Sequence, residues 1–172
     1  MVASNNVQGI RINETEISYG HIIDFLLPVR SLVALKSKPL VLEYHCNCGN
    51  VPTSWKLSIA YEQEPETGRV LCNVSLNRID SGIDFVVVSV TVSYLDKDDL
   101  YFRYSEIIGG EMFSGDETEG SFEDSRHPGY ISYIFSLGLI LKISLSIKNC
   151  HTAVKIYAKA GLTSDQIILS KL

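Results

Sequence analysis

The residues of this chain best equipped for chemistry are its four cysteines and four histidines. Five of the eight gather in two places, His45-Cys46-Asn47-Cys48 and Cys150-His151. Thiolates and imidazoles are the usual donors to tetrahedral zinc, so Cys46, Cys48, Cys150 and His151 supply a full set of four donors. The spacing argues the other way. Cys-x-Cys is not the usual two-residue spacer, and residues two apart on a strand share a face. That face also carries Leu42 and Tyr44, the apolar side. A buried free cysteine behaves as a small hydrophobe. The set therefore reads as core thiols, with no metal and no cofactor expected.

Other reactive patterns are weaker. His21, His45, His127 and His151 lie in unrelated surroundings, and no Gly-x-Ser-x-Gly elbow occurs. Gly109-Gly110 lacks the Lys-Ser/Thr ending of a phosphate loop. Five acids fall between Asp116 and Asp124, inside Ser114-Gly115-Asp116-Glu117-Thr118-Glu119-Gly120-Ser121-Phe122-Glu123-Asp124. So polar a run cannot bury enough apolar surface to order itself, and it reads as a mobile surface loop. With Asp96, Asp98 and Asp99 it offers an alternative, a two-loop calcium or lipid site of the C2 kind. No general acid/base pair sits in an expected cleft. The expectation is a protein that is not an enzyme. Tyr101, Phe102, Arg103 and Tyr104 are better placed for binding, since Tyr and Arg are favoured at interface hot spots.

Elements must position these residues, and the apolar pattern has period two almost throughout. Trp55, Leu57, Ile59 and Tyr61 alternate with polar neighbours, Pro65 and Gly68 break the run, and Val70, Cys72, Val74 and Leu76 resume it. That is a β-hairpin with the only tryptophan at one end. Leu40 to Cys48, Val86 to Tyr94 and Leu139 to Ile147 repeat the alternation. Ile17, Tyr19, His21, Ile23 and Phe25 fit a first strand. Val154–Ile156 and Ile167–Leu169 suggest two more, and a short helix fits Ser132 to Leu137. Seven to eight strands at this spacing predict an all-β fold, an antiparallel β-sandwich. Residues 1–14 read as a flexible N-terminal segment and 15–172 as the sandwich.

Net charge is −5, which argues against nucleic acid as a partner. No apolar run reaches the roughly 18 residues that cross a membrane as a helix. Four cysteines are too few for a disulfide scaffold at this length. Reduced thiols and an intracellular place, cytoplasmic or nuclear, follow as expectations, as does a monomer.

Several segments resemble the MATH domain, also called TRAF-C or TRAF-like. Ser18-Tyr19-Gly20-His21-Ile22-Ile23-Asp24-Phe25 is similar to that family's first strand. Trp55-Lys56-Leu57-Ser58-Ile59-Ala60-Tyr61 is similar to its Trp-x-Leu-x-x-Tyr-Pro strand, and Val90 to Asp96 to its Phe-x-Phe-x-x-Leu-Asn strand. Pro128-Gly129-Tyr130-Ile131-Ser132-Tyr133-Ile134 resembles Trp-Gly-Phe-x-x-Phe-Ile. Gly20 and Pro128 stand where the family has tryptophans. The resemblance implies a non-catalytic adaptor or scaffold module that binds a short linear segment of a partner protein in a sheet groove. Carried over from that resemblance, the groove positions are Val70, Val90, Pro128 and Tyr130; Arg69, Arg103 and Tyr104 are further candidates at its rim, read from this chain rather than from the family. A self-associating structural domain is the other alternative.

Overall fold

The structure, a computed structural model, describes residues 9–28, 39–63, 69–95, 101–124 and 140–151. They form nine strands: β1 (Arg11–Ile17), β2 (Gly20–Pro28), β3 (Leu40–Cys46), β4 (Thr53–Gln63), β5 (Val70–Arg78), β6 (Val86–Leu95), β7 (Tyr101–Met112), β8 (Glu117–Asp124) and β9 (Ile140–Lys148). One sheet has the order β1-β2-β9-β6-β7 and the other β3-β4-β5-β8, with every pairing antiparallel. The fold is the expected antiparallel β-sandwich.

The alternating residues do what period two requires. Trp55, Leu57, Ile59 and Tyr61 of β4 and Cys72, Val74 and Leu76 of β5 face Val86, Val88, Val90 and Val92 of β6 and Leu141, Ile143, Leu145 and Ile147 of β9. The indole N–H of Trp55 is satisfied inside this layer by the Thr53 hydroxyl at 2.8 Å, as a buried tryptophan requires.

Three expectations are corrected. The first strand is a hairpin: Ser18 and Tyr19 form a two-residue turn, Ile17 pairs with Gly20, and Tyr19 is exposed. Strand β1 also begins at Arg11, inside the segment expected to be flexible. The acidic run is strand β8, paired with β5 over its whole length. Its alternation is carried by one aromatic, the buried Phe122, while Glu117, Glu119 and Glu123 point outward. Pairing with an apolar strand outweighed composition, and the loop required by the C2-like alternative is absent there. The expected elements at 132–137, 154–156 and 167–169, and the Asp96–Asp99 turn, lie outside the described residues.

The sandwich is drawn shut along both sides. On one, Glu14 of β1 meets the Tyr44 hydroxyl of β3. On the other, β6 and β7 slip register at Ile107, and a Cβ added to Gly120 of β8 would lie 2.1 Å from the Ile107 carbonyl oxygen. Gly20 is under the same constraint, since a Cβ there would lie 1.9 Å from the carbonyl oxygen of Ile147 in β9. Backbone cannot yield as a side chain would. Gly20→Ala is expected to cost about 1–3 kcal/mol, read as a lower urea midpoint at unchanged slope.

Candidate binding face and candidate metal centre

Two features collect polar side chains. The first is the outer face of the five-stranded sheet. On β9 the outward residues are Lys142, Ser144, Ser146 and Lys148, beside Ser89, Thr91 and Ser93 of β6 and Ile22 and Asp24 of β2. With Thr15, Ile17 and Tyr19 they line an open trough of about 750 Å³. Asp24 is held at its floor, accepting from the Ser144 hydroxyl at 2.6 Å and pairing with the Lys142 ammonium at 2.8 Å.

The second feature lies at one end of the sandwich. The β1–β2 hairpin delivers His21, the loop after β3 delivers Cys48, and the turn after β9 delivers Cys150 and His151. Asn149 sets that turn with a positive φ of 67°, a conformation asparagine tolerates better than most residues. Its N–H donates to the Tyr19 carbonyl at 2.9 Å, tying the β9 end to the β1–β2 turn. One donor atom from each of His21, Cys48, Cys150 and His151 lies within 4.8 Å of every other. The Nε2 atoms of His21 and His151 are 3.0 Å apart. His21 Nδ1 lies 2.9 Å from the Glu14 carboxylate, and His151 Nδ1 lies 3.4 Å from the Ser18 carbonyl oxygen. His151 Nε2 is also 3.8 Å from the Glu16 carboxylate. The Cys48 thiol donates to the Cys150 carbonyl at 3.0 Å. Burial, reinforced by Cys48, pushes the Cys150 thiol up to about 12, so without a cation it keeps its proton near neutrality.

The sequence-predicted site is only partly brought together. Val90 is 0% exposed between the sheets. It cannot line a groove, because it sits on the inward parity of β6. Val70 belongs to β5 in the opposite sheet, so it shares no sheet surface with Val90. Arg69 is exposed and pairs with Glu123 of β8 at 2.9 Å, on the four-stranded side. Arg103 and Tyr104 take register positions opposite Tyr94 and Ser93, but their side chains, like Pro128 and Tyr130 altogether, lie outside the described residues. The cysteines expected as core thiols are free and buried in the core, as expected, but the set is divided. Cys46 turns to Glu14, at 3.9 Å, and burial pushes its thiol up to about 11.

Neither a protein-family model nor a curated protein matches the sequence. Two solved structures show a distant likeness. One is the CBM22-1–GH10 modules of the Clostridium thermocellum endo-1,4-β-D-xylanase 10B complexed with xylohexaose. It is 12% identical, with 63% of this chain and 23% of that one covered, at a TM-score of 0.29. The other is the CBM22-1 xylan-binding domain of Paenibacillus barcinonensis Xyn10C, 8% identical, with 82% and 78% covered, also at 0.29. This chain spans less than a quarter of the first. The functional argument rests on the residues of this chain alone.

Sequence reasoning missed His21 and Glu14. The signal for His21 was present, since it occupies the inward parity of Ile23 and Phe25, where a polar side chain needs a reason. Nothing local marks Glu14, whose role depends on β1 folding back over β3.

Proposed function

We propose that this chain is a non-catalytic interaction module that holds a short extended segment of a partner protein across the outer face of its five-stranded sheet. The observation that carries this reading is the trough along β9. Its accessible hydroxyls recur every second residue at Ser144 and Ser146 on β9, beside Ser89 on β6, with Thr91 and Ser93 of β6 buried at its lining. An extended peptide repeats its side chains with the same period of two, so one register satisfies successive contacts. From Lys142 to Lys148 the strand runs roughly 20 Å at about 3.3 Å per residue, enough for a segment of about six residues. Asp24 and Lys142 give the floor both signs of charge, and Lys148 adds a cation at the far end. Face binding is favoured over strand addition because the Glu14–Tyr44 contact and the Gly120–Ile107 approach crowd the sheet edges where they occur.

The test is to pan a random peptide library on the immobilised chain, with Ser146→Trp in parallel. Ser146 lies in mid-trough between Ile22 and Ser89, half-buried and outward. Extended peptides should enrich on the parent and bind the variant at least tenfold more weakly, with Tm unchanged. No enrichment, or equal binding to Ser146→Trp, overturns the reading.

A further inference from the structure

We infer that His21, Cys48, Cys150 and His151 form a tetrahedral site for a divalent ion of the zinc type, which fastens the two sheets at one end of the sandwich.

The two imidazoles meet edge to face at this end of the sandwich. A carbonyl or carboxylate oxygen only accepts hydrogen bonds. The 3.4 Å contact with the Ser18 carbonyl therefore makes His151 Nδ1 a donor, whereas His21 Nδ1, 2.9 Å from the Glu14 carboxylate, is buried and makes no hydrogen bond in this geometry. Neutral His151 then carries its lone pair on Nε2, and His21 turns its own Nε2 toward it. They face each other at 3.0 Å with the ring planes 88° apart. A lone pair on the His21 Nε2 as well repels the first unless something positive sits between them, and a hydrogen on that atom removes the repulsion. A proton on one ring suffices for the pair alone. It does not explain why two cysteine sulfurs from separate segments close the other side of the same space, within 4.8 Å of both nitrogens.

A cation accounts for all four. Zinc bonds of about 2.0–2.1 Å to nitrogen and 2.3 Å to sulfur place tetrahedral ligand atoms roughly 3.3–3.8 Å apart, so pairs at the 4.8 Å limit must close by about 1.0–1.5 Å and the two Nε2 atoms part by about 0.3 Å. The surroundings match what such an ion needs. The Glu14 carboxylate stands 2.9 Å behind His21 Nδ1, where carboxylates stand behind zinc-bound histidines. Glu14 is itself held by the Tyr44 hydroxyl. Asn50 donates to the His151 carbonyl, securing the loop that carries Cys48 to the turn that carries His151. His21, Cys48 and Cys150 are buried, while the His151 side chain keeps 20% of its surface in solvent, which gives the ion a way in. Four protein ligands leave no open position, so the ion is structural. The ligands come from both sheets, and the ion therefore cross-links them.

The experiment uses the full chain, reduced and stripped of metal, titrated with Co²⁺ and then Zn²⁺. Expected are one equivalent of Co²⁺ with the intense d–d bands of a tetrahedral ion and a thiolate charge-transfer band, displaced by one equivalent of Zn²⁺. Zn²⁺ should also raise Tm, because the assembled site of the native state binds it more tightly than the unfolded chain does. Cys48→Ser should abolish the charge-transfer intensity of one thiolate, and His151→Gln, at the most solvent-accessible ligand, should lower affinity more than tenfold. Glu14→Gln should weaken Zn²⁺ by about 10–100-fold. Cys46→Ser should retain one equivalent and the tetrahedral spectrum. Should Cys48→Ser fail to fold, the parent spectrum and His151→Gln still decide. Octahedral Co²⁺ without a thiolate band overturns the assignment, as does binding unchanged in His151→Gln or lost in Cys46→Ser. So does a reduced chain that binds no metal and oxidises only to a Cys48–Cys150 disulfide.

Discussion

Replacing Arg78 with alanine is expected to lower the free energy of unfolding by about 3–5 kcal/mol. Arg78 is 0% exposed, at the end of β5. Its guanidinium donates to Asp80 through Nε at 2.9 Å and Nη2 at 3.1 Å, and through Nη1 to the carbonyls of Asp84 at 2.7 Å and Met112 at 2.8 Å. Its backbone joins the same corner, since Arg78 N–H donates to the Asp116 carbonyl and Gly115 N–H to the Arg78 carbonyl. One residue thus secures this corner, its side chain joining the end of β5 to Asp80, Asp84 and the end of β7 and its backbone joining the turn before β8. Truncation leaves the Asp80 carboxylate and two buried carbonyls without these donors, and that desolvation cost, more than the attraction lost, sets the size of the effect. Arg78→Lys should recover little, because an ammonium cannot reproduce a planar fork. Urea denaturation of the three proteins checks this, and a loss below about 1 kcal/mol in Arg78→Ala would remove the corner as a stability element.

The same pair fixes a pH dependence. Burial alone would raise the Asp80 carboxyl, but the hydrogen bonds from Arg78 and from the Ser54 and Gly82 N–H groups outweigh it and hold the group below its ordinary value. A depressed folded-state value means that the contribution is complete above the unfolded value of about 3.9 and fades as pH falls through the lower, folded one. The stability gap between the parent and Asp80→Asn should stay constant from neutrality down to about pH 5. It should then close in more acid solution. A gap that grows with acid would contradict this.

Trp55→Ala is the second large effect, at about 3–5 kcal/mol. The indole is 1% exposed and lies between Tyr44 on β3 and Arg78 on β5 in the strand register. Its removal opens a cavity where the rigid Arg78 corner limits collapse, and it leaves Thr53 without its indole donor. Trp55→Phe should restore more than half the loss, since most of the effect is volume. Thermal unfolding of both variants separates the cavity from the hydrogen bond: equal losses would assign the effect to the bond.

Much of the architecture was legible along the chain. Alternation at Trp55–Tyr61, Cys72–Leu76, Val86–Tyr94 and Leu141–Ile147 gave the inward faces correctly, because a strand fixes the side of each residue by parity alone. Parity is also why a groove through Val90 fails, since the pattern that marked its strand already assigned it to the core. The β1–β2 turn escaped notice because Ser18-Tyr19 lacks the usual Asn-Gly or Asp-Gly signal. Gly20 is required by the Ile147 carbonyl, a neighbour more than a hundred residues away.

The sequence by itself determined an all-β chain, its inward-facing residues and a group of thiols and imidazoles with donor chemistry. Only the tertiary structure decided that the acidic run is a strand, because pairing with β5 supplies the apolar surface that the run lacks. It alone brought His21 to Cys48, Cys150 and His151 and turned Cys46 away toward Glu14. Strand order and sheet-to-sheet closure set those distances, and neither is encoded in local periodicity: the ligands come from β2, the loop after β3 and the turn after β9, which meet only once both sheets are packed.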